Sequence, residues 1–143
     1  MVSRLEVRLK RELLDAEGAG ICRKSREYFG LEVEDIRVIR VLTIDADLSG
    51  QQRERIQREI FTNPVTEDSS FSPLAAGFDW LIWIGFRPGV RDTAGSTATE
   101  AIKDLLGVTF QSDQTVYTSK LCEIRGRLTR EQARQIARDL LAN

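Results

Sequence analysis

The stretch Asp15-Ala16-Glu17-Gly18 returns 77 positions later as Asp92-Thr93-Ala94-Gly95, with the aspartate and the glycine kept three residues apart. Outward from it, Phe29-Gly30 returns as Leu106-Gly107 at the same displacement. Farther along, Leu48-Ser49 matches Leu128-Thr129, Gln52 matches Gln132, Ile56 matches Ile136 and Asn63 matches Asn143, each pair 80 apart. Three extra residues between Gly107 and Leu121 reconcile the two displacements. A displacement held through helix starts, helix ends and turns is the mark of a duplicated unit, here of roughly 70 residues.

Each copy reads in the same order. Leu5, Val7 and Leu9 alternate with Arg4, Glu6 and Arg8, the period of a strand with one buried and one wet face, and Leu81 to Phe86 is its more apolar counterpart. Asp15 and Asp92 suit helix N-caps, and Gly30 and Gly107 suit helix ends. The first helix is expected to bury Ile21, Ser25, Tyr28 and Phe29, the second Ala94, Ala98, Ala101, Ile102, Leu105 and Leu106. Two strands are predicted next in each copy, near Ile36–Ile39 and Val41–Ala46, then near Gln114–Thr118 and Leu121–Arg127, joined as hairpins. Ser49-x-x-Gln52 and Thr129-x-x-Gln132 are capping boxes that open the closing helices.

The expected class is therefore α+β: two tandem β-α-β-β-α units forming a pseudo-dimer, a sheet with helices on one face. Residues 1–68 form the first repeat, 69–78 a linker and 79–143 the second repeat, with a short edge strand expected where the segment between the repeats begins.

Composition narrows the chemistry. The chain has 143 residues, 41% hydrophobic and 30% charged, and folding at this length buries roughly two-thirds of the unfolded surface. Twenty-one basic and twenty-two acidic residues leave a formal charge of −1, so no strong field draws in nucleic acid or an anionic membrane. Histidine is absent, which removes histidine-dependent triads and metal sites. Cys22 and Cys122 stand far apart with no C-x-x-C spacing and read as buried, reduced thiols. The longest apolar run, Trp80 to Ile84, is far too short to span a bilayer, and no targeting segment precedes it. A soluble, cytoplasmic protein is expected.

Further residues sharpen the picture. The first copy carries Leu13-Leu14-Asp15-Ala16-Glu17-Gly18, Val33 to Val38 and Thr62-Asn63-Pro64-Val65-Thr66-Glu67-Asp68. The second carries Phe86-Arg87-Pro88-Gly89-Val90-Arg91-Asp92-Thr93-Ala94-Gly95 and the ending Leu140-Leu141-Ala142-Asn143. The first resembles the PurS subunit of phosphoribosylformylglycinamidine synthase. The second resembles the other PurS-like half of the N-terminal domain in the fused form of that enzyme.

The resemblance implies a non-catalytic assembly and docking domain in purine biosynthesis, bridging synthetase and glutaminase parts so that ammonia passes between them. It implies those two parts as partners, no cofactor on this chain and room for further self-association. Arg87, Pro88, Gly89, Asp92, Thr93 and Gly95 match its signature best and are the docking candidates. Asn63 continues into Pro64-Val65-Thr66-Glu67-Asp68 whereas the matching Asn143 ends the sequence, so a fragment of a longer fused protein is expected.

Without the resemblance, the best catalytic candidate is Gly85 to Thr97, a glycine-bearing loop ending at a helix start. Its spacing matches neither G-x-G-x-x-G nor a P-loop, and Asp92 at the cap would repel an anion. Arg87 and Arg91 have the fork that grips carboxylate or phosphate, and the 17 arginines to 4 lysines favour forked interface contacts. Trp80 and Trp83 point to opposite strand faces, one toward the core and one toward a neighbour. Glu32-Glu34 and Asp45-Asp47 lack further oxygen ligands and read as solvated faces. The alternative function is an ACT-like module that senses a small molecule, since such modules share short β-α-β-β-α elements. An RNA-binding sheet would need strand aromatics beside basic residues, which the first copy lacks.

Overall fold

The computed structural model describes residues 2–86 and 90–141. Strand β1 (Val2–Leu9) turns Ser3, Leu5 and Val7 inward, as its alternation predicts. Asp15 then caps helix α1 (Ala16–Phe29), which stops at Gly30 with φ 62°, a left-handed conformation that glycine adopts without a Cβ clash. Strand β2 (Glu32–Asp45) leads to the Ser49–Gln52 capping box, helix α2 (Gly50–Ile56) and a π-helical turn, Gln57–Phe61. Strand β3 (Glu67–Ser70) and strand β4 (Trp80–Ile84) follow. Asp92 caps helix α3 (Thr93–Leu106), which ends at Gly107 with φ 64°. Strand β5 (Thr115–Arg127), the Thr129–Gln132 capping box, helix α4 (Arg130–Ile136) and a second π-helical turn, Ala137–Leu141, complete the order.

The five strands form one antiparallel sheet in the order β3-β1-β2-β5-β4. The long strands β2 and β5 lie at its centre, paired from Glu32–Arg127 to Asp45–Thr115. The fold is α+β, with the helices packed on one face. One cluster on that face joins Leu5 and Val7 of β1 to Ile56 of α2 and to Ala98 and Ile102 of α3. The other joins Cys22 of α1 to Ile124 of β5 and Ile136 of α4, with Trp80 and Ile82 of β4 against it. Each long helix thus packs beside the short helix from the opposite part of the chain.

Three expectations need correction. The predicted hairpins do not form: Ile36–Ile39 and Val41–Ala46 belong to one continuous strand, as do Thr115–Thr118 and Leu121–Arg127. A β-bulge between Val33 and Asp35 shifts the phase of β2, and Ile39 and Val41 are buried on the face away from the helices. Apolar residues therefore fall on both parities, which mimics two strands. Tyr28 and Ala94 are exposed, because the helix faces that meet the sheet are Gly18-Cys22-Ser25 and Gly95-Ala98-Thr99-Ile102. The contact is close: a Cβ on Gly18 would lie 2.1 Å from the Ile36 carbonyl oxygen, and one on Gly95 2.3 Å from that of Val116.

The segment expected as a linker packs against the sheet. It begins with the expected edge strand, β3, and then crosses the second face toward β4 on the opposite edge. Leu74 and Ala75 cover Ile39, Val41 and Leu121 there. The Leu74 N–H donates to Glu6 Oε1 (3.0 Å), and Arg125 donates to the carbonyls of Gly77 (2.8 Å) and Ala76 (3.0 Å).

Candidate docking surface

The signature segment divides at the start of α3. Arg87, Pro88 and Gly89 lie outside the described residues. Asp92 is a structural clasp: Oδ1 accepts from the Gly95 N–H (2.8 Å) and the Thr118 hydroxyl (2.7 Å), and Oδ2 from the Thr118 N–H (2.6 Å). One carboxylate thus caps the helix and ties it to β5. Gly95 is buried one turn on, where only a hydrogen fits beside Val116, while Thr93 and Arg91 are exposed. The carboxylate occupies the place an anion would take at this helix start.

Asp15 makes the same clasp on the other helix. Its Oδ1 accepts from the Gly18 N–H (3.0 Å) and its Oδ2 from the Val38 N–H of β2 (2.7 Å).

The second sheet face carries a polar arrangement that the sequence reading took for an ordinary wet strand face. Arg8 Nη1 donates to Glu123 Oε1 at 3.0 Å, and Glu123 is 1% exposed. Arg125 stands 3.9 Å from the other Glu123 oxygen and donates to Asp35 at 3.2 Å. Two charges out of water are stable only when paired in this way. The available signal was the acid Glu123 flanked by apolar Cys122 and Ile124 in one long strand.

Beside this network lies a shallow groove of about 200 Å³ lined by Arg4, Glu6, Phe71, Pro73, Leu81 and Leu121 among others. Arg4 sits 4.9 Å from the Trp83 ring centre and 3.2 Å from Glu6, a cation held between an aromatic face and a carboxylate. Trp83 donates through Nε1 to Ser119 (2.8 Å) and is 61% exposed, whereas Trp80 packs into the core, so the two tryptophans divide as their spacing predicts. Leu81, Trp83 and Tyr117 give this face an apolar, aromatic surface beside arginine, the composition of interface centres.

Both cysteines are buried. Burial pushes the Cys122 thiol up to about 12, with Glu17 adding to the rise, and also raises the Cys22 thiol. Neither is placed for nucleophilic chemistry. Among the described residues no group of three or more Cys, Asp or Glu side chains is arranged to hold a metal ion, and no helix is long and apolar enough to cross a membrane.

A comparison with curated proteins gives no match. Residues 2–74 match the PurS family model, described as phosphoribosylformylglycinamidine (FGAM) synthase. The match begins at β1, includes the Asp15 clasp and the bulged strand β2, and runs past β3 into the segment that crosses the sheet. It spans just over half of the 143 residues, and on it the chain belongs to the PurS family, and so to the FGAM synthase complex of purine biosynthesis.

Proposed function

We propose that the chain is a non-catalytic assembly domain of FGAM synthase, built from two PurS-like repeats that form a pseudo-dimer and bridge the synthetase and glutaminase parts for ammonia transfer. The family match over residues 2–74 is the observation that carries this reading. Residues 79–143 are the second repeat and 69–78 the connection.

The register supports the repeat. Leu5 of β1 faces Leu42 of β2; moving these by 77 and 80 positions gives Ile82 and Cys122, which face each other in β4 and β5. The same displacements carry the Asp15–Val38 hydrogen bond onto Asp92–Thr118, and the Gly18–Ile36 approach onto Gly95–Val116. At the centre of the β2–β5 ladder, Arg40 faces Lys120, its own counterpart, where a local twofold would pass.

The docking candidates remain Arg87, Pro88, Gly89 and Thr93, with Asp92 and Gly95 fixing the start of α3. The partners are the synthetase and glutaminase parts, in the cytoplasm, with no cofactor on this chain and no nucleic acid or membrane involved. The test is to add the chain to those parts prepared without it. Glutamine-dependent turnover should appear while turnover with free ammonia stays unchanged; no association by calorimetry and no gain in turnover would reject the reading. An ACT-like sensor would instead show thermal stabilisation by one small metabolite, about 2.7 kcal/mol at a hundredfold its Kd.

A further inference from the structure

The two repeats carry different charges where they meet. On the second sheet face their junction is held by two ion pairs, each with one member in either repeat: Arg8 donates to Glu123 at 3.0 Å and Arg125 to Asp35 at 3.2 Å. The Arg8 side chain is 12% exposed and Glu123 is 1% exposed, so that pair is shut away from water. The matching position for Arg8, 77 residues on, is Gly85, and for Asp35, 80 residues on, Thr115. Those for Glu123 and Arg125, 80 residues back, are Thr43 and Asp45. None of the four supplies the charge that its counterpart holds.

We infer that β2 selects a β5 strand and rejects another β2, so that the central ladder closes between unlike repeats and never between the first repeats of two copies. Paired with itself in the present register, β2 would set Asp35 opposite Asp45 twice and put Thr43 where Arg8 now finds Glu123. Opposed like charges destabilise a sheet, and a buried cation without its acid is strongly disfavoured. Two β5 strands fare no better: Glu123 would find Gly85 in the place of Arg8, and Arg125 would face Thr115 instead of Asp35. The centre of the ladder does not discriminate, since Arg40 faces Lys120 now and would face Arg40 in the rejected pairing. The apolar contacts do not either, because Ile39 opposite Leu121 would become Ile39 opposite Val41. Selection lies in the second-face charges, which attract the right strand and repel the wrong one. It rests on the two-repeat reading proposed above.

A protease site placed between Ser72 and Pro73, both exposed, lets the folded chain be cut between its repeats. Unfolding the cut protein in urea, refolding it by dialysis and weighing the complexes by native mass spectrometry shows which repeats have paired. Unlike pairs alone should return. Thr43→Glu with Asp45→Arg gives β2 the two groups that β5 now supplies, and pairs of two first repeats should then appear. Glu123→Thr with Arg125→Asp gives β5 the groups of β2 and should abolish the unlike pairs. Like pairs in the proportion of random pairing, pieces that stay apart, or first repeats that still avoid each other after Thr43→Glu with Asp45→Arg would overturn the inference. Like pairs would leave the repeat and the enzyme assignment standing, whereas a chain that pairs as inferred but restores no glutamine-dependent turnover would fail the enzyme assignment alone.

Discussion

Arg40 and Lys120 stand directly opposite each other on the two central strands, and each is drawn away from the other by its own acid. Arg40 donates to the Phe61 carbonyl at 2.9 Å and lies 3.7 Å from Glu67, while Lys120 reaches Glu17 of α1. Like charges opposed across strands destabilise a sheet. Glu17→Gln should therefore cost about 0.5 kcal/mol, a small value because the pair is half exposed. Urea melts at low and high salt check this, and the loss should shrink as salt rises.

The close helix–strand contacts predict opposite effects for neighbouring glycines. Gly18→Ala and Gly95→Ala would press a methyl group into a backbone carbonyl, and each should cost about 1–3 kcal/mol or more. Gly20, in the same helix as Gly18, has nothing within 4 Å of an added Cβ, so Gly20→Ala should stabilise by about 0.5–1 kcal/mol. Denaturant midpoints of the three variants decide it.

Asp92→Ala removes a helix cap and leaves the Thr118 N–H without its acceptor. The two losses together should cost about 2–4 kcal/mol. Asp92→Asn should cost less, since its side-chain oxygen still accepts one bond. Thermal unfolding of the pair, with circular dichroism to show the fold retained, measures the difference.

The buried pair on the second face predicts strong coupling. Glu123→Leu should cost about 3–5 kcal/mol by leaving the Arg8 cation without its carboxylate, whereas Arg8→Met combined with Glu123→Leu should recover most of the loss. A double-mutant cycle in guanidinium is the measurement, and additive costs would contradict the pairing.

The Cys122 thiol predicts a stability that falls in alkali. Its folded value of about 12 lies above the ordinary 9.0, so the unfolded chain releases this proton first. The contribution is fully present below the unfolded value and is lost as pH rises from 9.0 toward about 12. Cys122→Ser should flatten the pH dependence of the urea midpoint in that window, and a thiol reagent should label Cys122 only as fast as the chain opens.

Punctuation was the legible part of this fold. Asp15, Asp92, Gly30, Gly107 and both capping boxes stand where local chemistry puts them, because a cap is decided by a few adjacent residues. The length of β2 was not legible, since its bulge and the cover over Ile39 and Val41 come from distant chain. The stripe of α1 was misjudged at Tyr28 for a related reason: the approach at Gly18 sets which face turns inward. Of the docking candidates, Asp92 and Gly95 proved to be a clasp and a close contact. The groove beside Arg4 and Trp83 brings together residues from opposite outer parts of the sheet, a proximity no local pattern encodes.

The crossing of residues 71–79 has a consequence for how the molecule comes together. The longest ladder in the sheet joins β2 to β5, which lie in the chain on either side of that crossing. The crossing is a tether. It sets the local concentration at which the two strands meet, so their encounter is unimolecular and does not weaken as the protein becomes scarce.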